Sequence, residues 1–287
     1  MIAQFDHKAV SSLLLYLDHY VLKKGQAYKN FGSRFYPGPQ IYNGLYTYYL
    51  PFKQIIADSS IAGAQVMSGI YLNNSFIMPG QSGLVDINFE QGQVYFSSDV
   101  STSLLSGNFA VKDFNVKLTS LPDETLLFET KYSSRPKTSR QITGLAPETE
   151  TYPVLFLRNE GGENVPFAMG GQDQTQILIR GAVFSDSQYN LDGLFSILRD
   201  RVRTFIPMLE VDEMPFNSYG GLKSGVYHYD NLTAPKNSTA QTLFIEKVVA
   251  KNFAPQSRTV TELMDMNPTI YPGLISIQIT AERYPRL

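Results

Sequence analysis

The sequence predicts an α+β protein: a β-rich N-terminal module, sandwich- or barrel-like, followed by an antiparallel sheet with packed helices in the C-terminal half. Three observations predict it. Residues 174–209 read as strand, turn and helix: Ile177, Leu178, Ile179, Ala182, Val183 and Phe184 form an apolar run, Ser185, Asp186 and Ser187 a turn. Leu191, Leu194, Phe195, Leu198, Val202 and Phe205 then recur at helical spacing. Between 57 and 132 short alternating runs are separated by turn residues at intervals near ten. Near the end, Ile275, Ile277 and Ile279 alternate with Ser276, Gln278 and Thr280, the pattern of a half-buried strand.

In chain order, residues 7–24 read as a helix, with Val10, Leu13, Leu14, Leu17, Val21 and Leu22 on one apolar face and Gly25 as its cap. The Gly-, Pro- and Tyr-rich stretch 28–51 reads as a long irregular arm with a short strand at Leu45–Leu50. In the β block, Val85, Ile87 and Phe89 alternate with Asp86 and Asn88, and Val94 and Phe96 flank Tyr95. Glu90-Gln91-Gly92 joins these two runs as a hairpin. Residues 133–152 are polar and read as a linker. Beyond them come a strand at 152–159, a glycine-rich loop at 161–171, and the strand–helix unit, whose helix is expected over 188–206 with Pro207 as its stop. Residues 211–240 read as a second long excursion, followed by strands at 241–253 and 274–284. The expected organisation is 1–56 helix and arm, 57–132 β module, 133–152 linker and 153–287 α+β domain.

Composition narrows function. Charged residues make up 17% of the 287, against roughly 25% in typical soluble domains, so partner chains are expected to cover part of the surface. The net charge of −2 comes without a basic stripe, which argues against sequence-specific nucleic-acid binding. With no cysteine, disulfides, thiolate catalysis and Cys-bound zinc are excluded. No apolar run has the length of a membrane span and no signal-peptide pattern opens the chain, so the expectation is a soluble intracellular product. Eighteen Tyr and 18 Phe without Trp suit subunit interfaces better than a lectin site.

Candidate chemistry is sparse. Gly161-Gly162 to Gly170-Gly171 lacks the Lys and following helix of a phosphate loop and reads as a hairpin or surface loop. His7 and His19 are twelve apart, about 18 Å along a helix, too far to share a metal, and read as a polar helix face. His228 beside Asp230 has no nucleophile elbow with it. The acidic pairs Asp123-Glu124 and Asp212-Glu213 sit beside prolines and read as solvated turns. No catalytic residue, cofactor or metal is therefore expected. Arg199, Arg201 and Arg203 crowd the end of the predicted helix, as a solvated helix end or an intersubunit strip.

With these residues in view, the chain resembles the virion structural proteins of tailed bacteriophages. The order strand (VLFLRN), strand (QILIRGAVFSDS), helix (NLDGLFSILRDRVRTF) and late strands ending in SIQITAERY is similar to neck and tail-terminator proteins, which form rings at the head–tail junction. The block 84–132 resembles connector or tail β-modules. The resemblance implies a homo-oligomeric ring, a hexamer with a dodecamer as the other arrangement, in the virion after assembly in the host cytoplasm. Its partners would be neighbouring neck, portal-side and tail-tube or sheath proteins, with no membrane and no specific nucleic acid. On that reading, edge strands and the arm are exchanged between neighbours. Tyr36, Tyr42, Tyr46, Tyr48 and Tyr49 would reach across the interface, and Arg199, Arg201 and Arg203 would lie near the ring contact. The length, the Tyr-rich arm and the N-terminal β block depart from small terminators. They leave a tail-tube or capsid-decoration protein open, and in a different class a β-rich carbohydrate-active enzyme or binding module.

Overall fold

The computed structural model describes residues 4–123, 125–126, 135–136, 151–168, 171–215, 225–234, 241–252 and 270–283. Strand outweighs helix, 47% to 19%, so the α+β class holds with β dominant.

Helix α1 (Phe5–Gly25) leads into β1 (Tyr28–Arg34), β2 (Tyr36–Tyr42) and β3 (Leu45–Tyr49). The short strand expected at Leu45–Leu50 is β3, and the rest of the expected irregular arm is strand as well, as β1 and β2. Asn43 and Gly44 both take positive φ between paired Tyr42 and Leu45, the two-residue hairpin turn that matches strand twist. Strands β4 (Ile70–Leu72), β5 (Ser75–Ile77), β6 (Leu84–Asn88), β7 (Gln93–Phe96) and β8 (Leu105–Lys112) complete two antiparallel sheets, ordered β1-β8-β4-β5 and β2-β3-β7-β6. The chain crosses from one sheet to the other at Phe35, whose N–H donates to the Leu105 carbonyl at 3.0 Å. Phe35, Tyr48, Ile70, Leu84, Val94, Phe96 and Phe109 fill the space between the sheets, as in a sandwich. The expected hairpin at Glu90–Gly92 is present between β6 and β7, with Val94 and Phe96 buried. Val85, expected inward, is exposed instead, because an irregularity between Leu84 and Asp86 turns it out and Leu84 in.

A third sheet takes β9 (Asn115–Leu118), β12 (Val154–Ala168), β13 (Gln172–Ser185), β14 (Phe205–Pro207), β15 (Thr242–Asn252) and β16 (Tyr271–Arg283), in the order β14-β15-β16-β13-β12-β9. All pairings are antiparallel except β9 with β12. A small parallel pair joins β10 (Arg135–Pro136) to β11 (Thr151–Tyr152); most of the expected linker 133–152 lies outside the described residues. The same holds for much of the 211–240 excursion, of which the short helix α3 (Tyr229–Leu232) is described. The glycine-rich stretch expected as a loop is largely strand: β12 runs through Gly161, where an extra residue against β13 is accommodated.

Helix α2 (Gln188–Arg199) starts at Ser187, whose Oγ accepts from Asn190 N at 3.2 Å. It buries Leu191, Leu194, Phe195 and Leu198 against the sheet. It stops at Arg199 rather than at 206. Arg203 has φ +64, its N–H donates to the Ile245 carbonyl, and Phe205 pairs with Phe244. A strand partner thus overrides the last turn of the apolar stripe, leaving Val202 and Phe205 exposed, Phe205 by 66%. The left-handed residue closing α1 is Gln26, one position beyond the expected Gly25 cap.

α1 packs Leu13, Leu17 and Val21 with α2 on the same sheet face as Ile177, Ile179, Ile277 and Ile279. Its other flank buries Leu15 with Tyr229 and Leu22 with Ile56 and Ala110. Elements thus cross the expected boundaries: strands from 28–49 pair with the β module, α1 and β9 with the C-terminal sheet.

Candidate functional site

Two places gather polar or exposed groups in an ordered way. The first is where α1 meets the sandwich and the 225–232 segment. His19, expected on a polar helix face, is buried, with 6% of its side chain exposed. Its Nδ1 lies 2.8 Å from Asp58 Oδ2 and 3.3 Å from Ser60 Oγ; its Nε2 faces Asp230 at 3.6 Å. The Tyr229 ring stacks on it at 4.3 Å. A nucleophilic triad needs the hydroxyl and the carboxylate on opposite ring nitrogens. Here both sit on Nδ1, and Ser60 Oγ donates to Asp58 at 2.7 Å. Asp58 also accepts from Ser60 N and Tyr229 N at 2.9 and 3.1 Å. Burial pushes the Asp58 carboxyl up, but hydrogen bonds from His19, Ser60 and Tyr229 outweigh it and hold it below its ordinary range. Burial raises the Tyr227 and Tyr229 phenols, so both stay neutral. Nearby, Lys112 donates to both oxygens of Asp18, and Lys23 to both of Asp230. This network ties α1, the 57–60 turn, β8 and α3 together. His228, considered with Asp230 as a pair, instead caps α3 by accepting from Asn231 N, and His7 closes a capping box with Gln4. Its signal was a buried-polar one that spacing along the chain cannot reveal: Asp58 and Asp230 are far from His19 in sequence.

The second place is the rim of the six-stranded sheet. One row of paired residues runs Glu163, Gln176, Thr280, Phe244, Phe205; another runs Lys117, Phe156, Ala182, Leu274, Lys251. β14 therefore covers β15 only at one end, and β9 covers β12 only at the other. Among the described residues no strand pairs with the outer edge of β12 over 159–168 or of β15 over 246–252. Every described side chain from Asn159 to Phe167 is exposed, Phe167 by 57%. Three of the four sandwich rims, β1, β2 and β5, are guarded by contrast. β2 carries Pro37 and Pro39, β5 has three residues, and the 62–65 turn covers β1 through Tyr28 and Asn30 side chains.

The residues expected at an interface are spread over the molecule. Tyr36 is 48% exposed. Tyr46 and Tyr49 are half-buried. Tyr48 is buried in the sandwich, where its hydroxyl donates to Asp99 and accepts from Val100 N; burial raises both the Tyr48 and Tyr49 phenols. The Tyr42 side chain lies outside the described set. Arg201 stacks over Tyr20 of α1 at 4.1 Å, while Arg199 and Arg203 are exposed. The open strand edges, absent from the expected residue set, were hidden because pairing partners are not readable from one strand's pattern. Compared with known proteins, the chain matches no family model and no curated protein sequence.

Proposed function

We propose that the chain is a structural virion protein of a tailed phage that assembles into a ring in the neck or tail-terminator region joining head to tail. One observation carries the assembly reading: in the six-stranded sheet, β12 and β15 are, among the described residues, each left unpaired along half of their outward edge, on opposite sides. Such edges expose rows of backbone donors and acceptors, a template for another strand. Opposite, unlike edges suit a heterologous contact that closes into a ring. The placement in a phage rests on the element order noted above. The exposed tyrosines and the low charge fit a surface covered by partners.

Light scattering on the purified chain, alone and with neck and tail neighbours, tests the reading together with electron microscopy of particles carrying a tagged subunit. Rings, and tag density at the head–tail junction, are expected. A chain that stays monomeric with its neighbours present overturns assembly. Tag density along the tail or over the capsid moves it to the tube or decoration class.

A further inference from the structure

Resting on that assembly reading, we propose that the open edge of β12 in one copy pairs antiparallel with the open edge of β15 in the next, continuing the sheet head to tail. β12 and β16 run one way, β13 and β15 the other. A second copy set beside the first with the same face up therefore presents its β12 to β15 in the antiparallel sense, the stronger pairing.

Charge selects the partners. On the β12 edge, 159–168, Glu160 is held by Arg158 and Glu163 is left, among the described residues, as the unpaired charge; the β15 edge contains Lys247 and Lys251, and its Glu246 is held by Gln278. Glu163 stands opposite Gln176, and Lys247 opposite Gln278. The neighbouring Ile177, Ile179, Ile277 and Ile279 face the helices, so Glu163 and Lys247 share the other face. Among the described residues neither Glu163, Lys247 nor Lys251 has an ion pair. Sliding one copy along the strands sets Glu163 opposite Val249, where Lys247 and Lys251 flank it two residues to either side on the same face. The slide is about four residues, the separation of the Glu163 row (at Thr280) from the Val249 row (at Ser276), or about 14 Å. It also carries β9 and β14 clear of the new seam. Strand tilt absorbs such a stagger when a sheet closes on itself.

A level approach is the competing geometry. It would set β9 against β15 and place Lys117 directly beside Lys251, on one row. It would also pair β12 with β14, where Pro207 lacks an N–H. Glu90 already pairs with Lys117, so the missing donor at Pro207 is what disfavours this approach.

The chain has no cysteine, so engineered pairs read the contact directly. Glu163→Cys with Val249→Cys, and Val165→Cys with Lys247→Cys, the pairs that this slide sets directly opposite, should each give an intersubunit disulfide ladder on oxidation. A mixture of the two single variants of either pair should give dimers only. Glu163→Lys should raise the half-assembly concentration roughly tenfold, and adding Lys247→Glu should restore it to within about twofold. Glu163, Val165 and Lys247 are exposed and Val249 is half-buried, and circular dichroism checks that folding is unchanged. Rings that form without either ladder, or that crosslink through Lys117→Cys with Lys251→Cys, overturn this pairing and leave the assembly reading standing. A chain monomeric under every condition overturns both.

Discussion

Asp58→Ala removes the acceptor at the centre of the junction between α1, the sandwich and the 225–232 segment. In the native protein its two oxygens accept from His19 Nδ1, Ser60 Oγ, Ser60 N and Tyr229 N at 2.7–3.1 Å. The Ser60 groups are partly accessible and can turn to water. The His19 ring and the Tyr229 N–H are buried and cannot. Two orphaned buried donors at ~1–3 kcal/mol each give a loss of about 3–4 kcal/mol. For a chain of this length that lowers Tm by about 10 °C. Asp58→Asn keeps one carbonyl acceptor and should lose about half as much. The assay is thermal denaturation by circular dichroism, paired with amide exchange of 225–232, whose protection should fall before that of β13 and β16. A loss below ~1 kcal/mol for the alanine variant, or unchanged exchange at Tyr229, would refute the assignment of the network as the strut that holds this segment.

The same carboxylate fixes an acid response. Because Asp58 is held below its ordinary range, its contribution is complete above the unfolded value near pH 4 and fades as pH falls through the lower folded value; Asp58→Asn should flatten that part of the stability–pH curve measured by urea titration. Gly273→Ala would drive a methyl into the Phe195 ring of α2, so a cost of ~1–3 kcal/mol is expected, partly relieved by Phe195→Leu, and a neutral result would mean α2 does not sit on β16. Arg201→Ala should cost ~0.5–1 kcal/mol through the lost Tyr20 stack, whereas Arg199→Ala should leave thermal stability unchanged; equal losses would contradict the difference in their surroundings.

Local periodicity was enough for elements whose burial follows their own pattern. The terminal strand with Ile275, Ile277 and Ile279, the start of α2 and the β6–β7 hairpin lie where the sequence predicts them. Reading failed where distant partners decide. The short strand expected at Leu45–Leu50 is β3, but Tyr28–Tyr42 looked irregular because its prolines and glycines mask strands, of which β1 pairs with β8 about 70 to 85 residues on. Asn43-Gly44, just after it, was the legible hairpin signal. Phe205 continued the helical stripe of α2, yet its pairing with Phe244 drew it into a strand. His19 looked like one more polar position on a helix, because its partners come from two other segments. The open edges of β12 and β15 follow from the short lengths of β9 and β14, which no periodicity encodes.

The placement of α1 constrains how the chain can fold during synthesis. The sandwich strands all fall between residues 28 and 112, so that module is complete in order of emergence. α1 precedes it, but the sheet that receives Leu13 and Leu17 includes β16, which begins at Tyr271. At roughly 5–20 residues per second, the ribosome needs roughly 12–50 s to make that strand after α1 has emerged. For that interval the helix keeps an apolar flank without its final seat, and the β13–β16 register, joining residues nearly a hundred apart, is still open. High contact order of this kind slows folding and prolongs exposure. Expression at low temperature, which slows off-pathway association, should therefore improve the yield of soluble chain.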